Sequence, residues 1–111
     1  MVTMAEDNKD FDWETLCFQM ITAAGSAKSD YIEALQAAKA GKYDKADELI
    51  KSGDQSFATG HDLHTNLVQR EASGEKIEVS LLMTHVEDQM MAAETVKLLV
   101  NELIALYKKI N

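Results

Sequence analysis

The segment LLMTHVEDQMM (residues 81–91) sets a histidine and an aspartate, His85 and Asp88, three positions apart in an otherwise apolar run. On a helix that spacing projects both side chains to one side. Polar groups pressed into an apolar contact are costly unless something satisfies them. An unprotonated imidazole nitrogen is a nucleophile toward phosphorus, and the phosphohistidine it forms is readily transferred. Phosphoryl transfer asks a protein for positioning and charge stabilisation more than for covalent machinery. A relay protein needs little beyond an accessible histidine at a docking surface. Taken alone, though, a His-Asp pair at this spacing is more often a structural contact than a site.

The other reactive side chains are few. His61 and His64, in HDLHTN, share the same three-residue step. Two ligands do not make a metal site, so the plain expectation is a partly buried, hydrogen-bonded pair. Cys17 is alone, which rules out an intrachain disulfide and a CxxC site; it is expected in the core. No phosphate-cradling glycine loop and no HExxH occurs. The residues three before His61, His64 and His85 are Ala58, His61 and Leu82, so the Glu-x-x-His ligands of a di-iron carboxylate bundle are missing.

The elements that must position these residues follow from composition and period. The chain has 111 residues, 46% of them apolar, five glycines and no proline. That is one globular domain built from long, unbroken helices. The domain is expected over residues 12–111, behind a flexible, polar N-terminal tail at residues 1–11. A formal net charge of −8 argues against nucleic acid and anionic membrane as partners and suits the basic face of a protein. No signal peptide is visible, and no run reaches the roughly 18–20 apolar residues of a membrane span. A cytoplasmic protein with no membrane insertion is expected.

Two glycine-bearing breaks, KAGKYD (39–44) and EASGEKIE (71–78), divide the chain into three amphipathic segments. In the first, Trp13, Cys17, Met20, Ala24, Ala27, Tyr31, Leu35 and Ala38 recur at three- and four-residue steps, with Asp12 as a candidate N-cap and Gly41 as the stop. The second continues the period through Tyr43, Ile50, Phe57, His61, His64 and Leu67, although Gly53 and Gly60 weaken it by roughly 1 kcal/mol each. The third is expected over about Glu78–Lys109, capped by Ser80 or Ser73. Short connections between long helices give an all-α, antiparallel up-down-up three-helix bundle.

The third segment carries two apolar stripes. One runs through Leu82, Val86, Met90, Ala93, Val100 and Ile104; the other holds Leu81, His85, Asp88, Leu99, Leu103, Leu106 and Ile110. A helix in a monomeric bundle needs one apolar face. The second stripe is most simply buried by other subunits, which puts His85 and Asp88 at a subunit seam.

At these residues the sequence resembles the enzyme IIA component of the lactose/cellobiose class of bacterial sugar phosphotransferase systems. The motifs are AAGSAKSDYIEAL, AKAGKYDKADELI, REASGE and, most specific, SLLMTHVEDQMM with its His-x-x-Asp. The resemblance spans roughly Trp13 to Lys109. It implies a cytoplasmic nine-helix homotrimer of three-helix subunits. It implies His85 as the phosphoryl carrier, accepting the group from phosphohistidine on HPr and passing it to a cysteine on the cognate IIB protein or domain. The family aspartate falls on Asp88, three copies of which would meet near the trimer axis. Such carboxylates repel unless a hard cation with oxygen ligands joins them, and one divalent ion per trimer, Mg²⁺, is implied. Many relatives carry histidine where this chain has Gln89, which shares the side of His85 and could support the phosphoryl group by a hydrogen bond. His61 looks like a family histidine that could shape the cleft, whereas His64 stands where glutamine is common. The sugar stays open among lactose, cellobiose and chitobiose.

Three further expectations are testable against structure. The charges of Glu87 and Asp88 could keep a phosphoryl group on His85 labile. A helical adaptor trimer would need neither His85 nor Asp88. A metal-binding bundle would gather His61, His64, His85 and Asp88.

Overall fold

A computed structural model of the chain describes the backbone from residue 4 and the side chains from residue 13. The side chains of residues 1–12, and with them most of the expected tail, lie outside the described residues. Three helices follow in order: α1 (Met4–Lys39), α2 (Tyr43–Ala72) and α3 (Leu81–Ile110). With α1 starting at Met4, Asp12 sits inside the helix and not at its cap.

Both breaks end a helix in the same way. Gly41 takes φ +79° and Gly74 φ +105°, the left-handed region that a side chain would strain. After α1, the N–H of Lys42 reaches back to Ala37 O at 2.9 Å and that of Gly41 to Ala38 O at 3.0 Å. After α2, Glu75 N–H reaches Arg70 O at 3.1 Å and Gly74 N–H reaches Glu71 O at 3.0 Å. This paired closure satisfies the orphan carbonyls of a helix end. The Arg70 guanidinium locks the second turn by donating to both Glu75 carboxylate oxygens, at 2.9 and 2.6 Å. Ser80, not Ser73, caps α3: its Oγ accepts from Met83 N–H at 3.1 Å. The cap starts α3 at Leu81, three residues later than its period alone predicts.

Cross-helix contacts fix the directions. Tyr31 meets Asp54, Lys28 meets Gln89, His64 meets Glu87, and Asn111 at the end of α3 meets Tyr43 at the start of α2. The bundle is therefore up-down-up, with α1 parallel to α3 and antiparallel to α2. α1 packs along both neighbours, whereas α2 and α3 run farther apart and are bridged by side chains.

Small residues explain the difference. α1 buries Ala23, Ala24, Ala27, Ala34 and Ala38. Opposite them, α2 offers Gly53 and Gly60, and a Cβ on Gly60 would lie 3.1 Å from Ala23 Cβ and 3.3 Å from Met90 Sδ. The glycines that weaken α2 locally are where its neighbours come closest. One end of the core joins Cys17, Met20 and Leu67 to Met83, Val86 and Met90; the other joins Tyr31 and Ala46 to Val100 and Ile104. Cys17 is a buried core residue, and burial raises its thiol pKa further from the reactive range. The fully buried Tyr31 donates its hydroxyl to Asp54 Oδ1 at 2.6 Å. Burial, reinforced by Asp54, pushes its phenol far above the ordinary range, so it stays a donor.

Candidate phosphoryl site on the third helix

Ser80 sets where α3 begins, and the apolar stripe of Val86, Met90, Ala93, Val100 and Ile104 sets how it is rotated, by burying against the other helices. That rotation leaves the second stripe outward. Leu81, Leu99, Leu106 and Ile110 are 87%, 58%, 51% and 66% exposed, and Leu103 40%. Leu98, 62% exposed, widens the strip beside Leu99. His85 and Asp88 are both exposed on this uncovered face, so a single chain does not desolvate them. Neither takes a hydrogen bond or ion pair from another side chain among the described residues. The polar pair interrupts an apolar face that is open, not one already packed.

One turn beyond His85 and on its side of the helix stands Gln89, half-buried. Its Oε1 accepts from Lys28 Nζ of α1 at 3.4 Å. The sequence reading missed Lys28. The available signal was its place one turn after Ala24 and three residues before Tyr31, beside the buried row of α1.

Glu87 makes its hydrogen bond away from His85. Residues two apart on a helix do not face each other, and Glu87 turns toward α2, where its Oε1 lies 2.6 Å from His64 Nε2. Its carboxylate is hydrogen-bonded there, away from His85. His64 is thus half-buried and hydrogen-bonded, but to Glu87 and not to His61. His61 is exposed, stacked on Phe57 at 6.0 Å between centroids, with Nε2 3.5 Å from Thr65 Oγ1. Within one chain nothing among the described residues links it to His85.

Among the described residues, no three His, Cys, Asp or Glu side chains come together as metal ligands. The four-residue cluster of a metal-binding bundle does not form in the chain. Asp88 offers a single carboxylate, a hard oxygen donor suited to Mg²⁺ only if other copies supply the remaining oxygens. A groove of about 710 Å³ between α1 and α2, walled by Phe18, Thr22, Ser26, Thr59 and Leu63 among others, does not include His85. No helix among the described residues is long and apolar enough to cross a membrane.

The family model described as PTS system, Lactose/Cellobiose specific IIA subunit matches residues 15–108. The chain is 41% identical over 98 residues to the PTS system oligo-beta-mannoside-specific EIIA component of Bacillus subtilis (strain 168), covering 88% of this chain and 89% of that one. It is 40% identical over 102 residues to the lactose-specific EIIA component of Staphylococcus epidermidis, covering 92% and 97%. The solved PTS cellobiose-specific enzyme IIA from Bacillus anthracis superposes with a TM-score of 0.84 at 43% identity, over 99% of this chain and 94% of that one.

Proposed function

Because the chain belongs to the lactose/cellobiose-specific IIA family of the sugar phosphotransferase system, we propose that it relays a phosphoryl group through His85, from phosphohistidine on HPr to a cysteine on the cognate IIB component. The observation that carries this reading is the exposure of His85 on the uncovered stripe of α3, one turn from Gln89. The lone pair of an unprotonated ring nitrogen of His85 attacks phosphorus. The donor's N–P bond breaks and its electron pair returns to the donor imidazole. In the second step the IIB thiolate attacks, the N–P bond on His85 breaks, and the ring recovers its lone pair. No oxidant and no nucleotide is required. Relatives named for lactose, oligo-beta-mannoside and lichenan support a β-linked saccharide as the cargo class, phosphorylated downstream of a cytoplasmic relay.

The test is direct. Wild-type protein incubated with phosphoenolpyruvate, enzyme I and HPr should gain one acid-labile phosphoryl group per chain by intact mass, and IIB should discharge it. No uptake by a protein that still assembles would leave a helical adaptor.

The same reading makes the second stripe the seam of a homotrimer. Each buried leucine contributes roughly 1.5–3 kcal/mol, and a carboxylate forced into an apolar seam adds a desolvation cost. Leu103→Glu should therefore weaken assembly by roughly a thousandfold or more. Sedimentation of this variant at micromolar concentration should give monomers; a persistent trimer would place the seam elsewhere.

Three copies of Asp88 on that seam would hold one Mg²⁺ with oxygen ligands. The ion would neutralise their mutual repulsion and stay out of the transfer step. Elemental analysis of purified trimer should find one divalent ion per three chains, falling to background in Asp88→Asn. An unchanged metal content in that variant would remove Asp88 from the site.

A further inference from the structure

We infer that Lys28 is a positioning residue of the phosphoryl site: its ammonium holds the Gln89 carboxamide so that the amide NH₂ faces the group carried on His85. The inference rests on the relay reading above. Lys28 Nζ crosses from α1 to α3 and donates to Gln89 Oε1 at 3.4 Å in a partly buried contact. An ammonium has donors and no lone pair to accept with. Only the oxygen of the carboxamide can receive it, so the NH₂ is turned the other way.

That choice has chemical weight. The two flipped orientations of a glutamine amide have nearly the same shape, and hydrogen-bond partners decide between them. An oxygen turned toward a phosphoryl dianion would repel it, whereas an NH₂ would donate to it. Gln89 is one turn from His85 on the same helical side, within reach of a group projecting from the imidazole.

The charge of Lys28 is also uncommitted. Arg70, Lys97 and Lys108 each face a carboxylate, on Glu75, Asp54 and Asp47. Among the described residues Lys28 joins no ion pair, in a chain with 19 acidic and 11 basic side chains. Its contact with Gln89 therefore orients the amide without cancelling the cation.

A double-mutant cycle on the full-length protein tests the assignment. Protein loaded from phosphoenolpyruvate through enzyme I and HPr gives the equilibrium share of phosphoryl group held against HPr. Hydrogen bonds to charged groups set the scale: Lys28→Met, which keeps the aliphatic stem, should lower the phosphoryl-exchange equilibrium constant roughly tenfold. Lys28→Arg, which keeps the donors, should restore most of it. In a Gln89→Ala background, Lys28→Met should cost nothing further, because the two act as one unit. Equal loss in both backgrounds would overturn the positioning role in favour of a direct charge effect. A Lys28→Met protein that holds the group as wild type does would overturn it outright.

Gln89→Glu gives an independent check. It keeps a partner for Lys28 and removes the NH₂, so it should hold less phosphoryl group; wild-type loading there sinks the inference while the relay stands. Wild-type protein that takes up no phosphoryl group sinks the relay and this role together.

Discussion

His85→Gln is expected to abolish phosphoryl uptake while leaving the fold of the chain intact. The imidazole is exposed on α3, and glutamine is a good helix former. The change in stability should therefore stay within about 0.5 kcal/mol. The chemistry does not survive the exchange, since a carboxamide nitrogen has no free lone pair to attack phosphorus. Removing a nucleophile elsewhere costs a factor on the order of 10⁶, and uptake should drop below detection by intact mass. No replacement is poised nearby: His64 is engaged with Glu87 on the α2 side, and His61 stacks on Phe57. An acid-labile group persisting in a folded His85→Gln protein would move the carrier to one of those histidines, and peptide mapping would say which.

Features set by local chemistry were legible in the sequence. Gly41 and Gly74 marked the two turns because left-handed helix ends select glycine. Ser80 was one of two candidate caps, and its hydroxyl settles the choice by bonding Met83 N–H. The double stripe on α3 could be read as one face for the other helices and one for other subunits because helical period alone divides a helix into sides; in the single chain the first is buried and the second uncovered. It put His85 and Asp88 on the uncovered side.

Contacts between helices were not legible, because they depend on axial register and on the distance between axes. The period could not pair Lys28 with Gln89 or His64 with Glu87, residues 61 and 23 apart in the chain. Glu87 is instructive here. Proximity in sequence suggested a charge acting on His85, and helix geometry aims it at another partner. Gly53 and Gly60 were read as weak points of α2 because their benefit lies in the neighbouring helices.

Gly53→Ala is accordingly expected to destabilise the protein, against the ordinary trend. In an open helical position the exchange gains roughly 0.8–1 kcal/mol from propensity. At Gly53 a Cβ would lie 2.8 Å from Tyr31 Cε1 and 3.0 Å from its Cδ1, closer than carbon atoms tolerate. The ring cannot yield freely. It is fully buried, and its hydroxyl is held by Asp54 at 2.6 Å, an acceptor one residue along the same helix. Overpacking of this kind costs about 1–3 kcal/mol. The clash offsets the propensity gain and, beyond its lowest value, exceeds it, leaving a net loss of up to about 2 kcal/mol, and Gly53→Val should lose more. Gly25→Ala is the control: its Cβ would meet nothing within 4 Å, so it should stabilise by up to about 1 kcal/mol. Urea unfolding of the three variants at one protein concentration would separate the signs. Should Gly53→Ala prove as stabilising as Gly25→Ala, the close approach of α1 and α2 at Tyr31 would be wrong, and Gly53 would need another explanation.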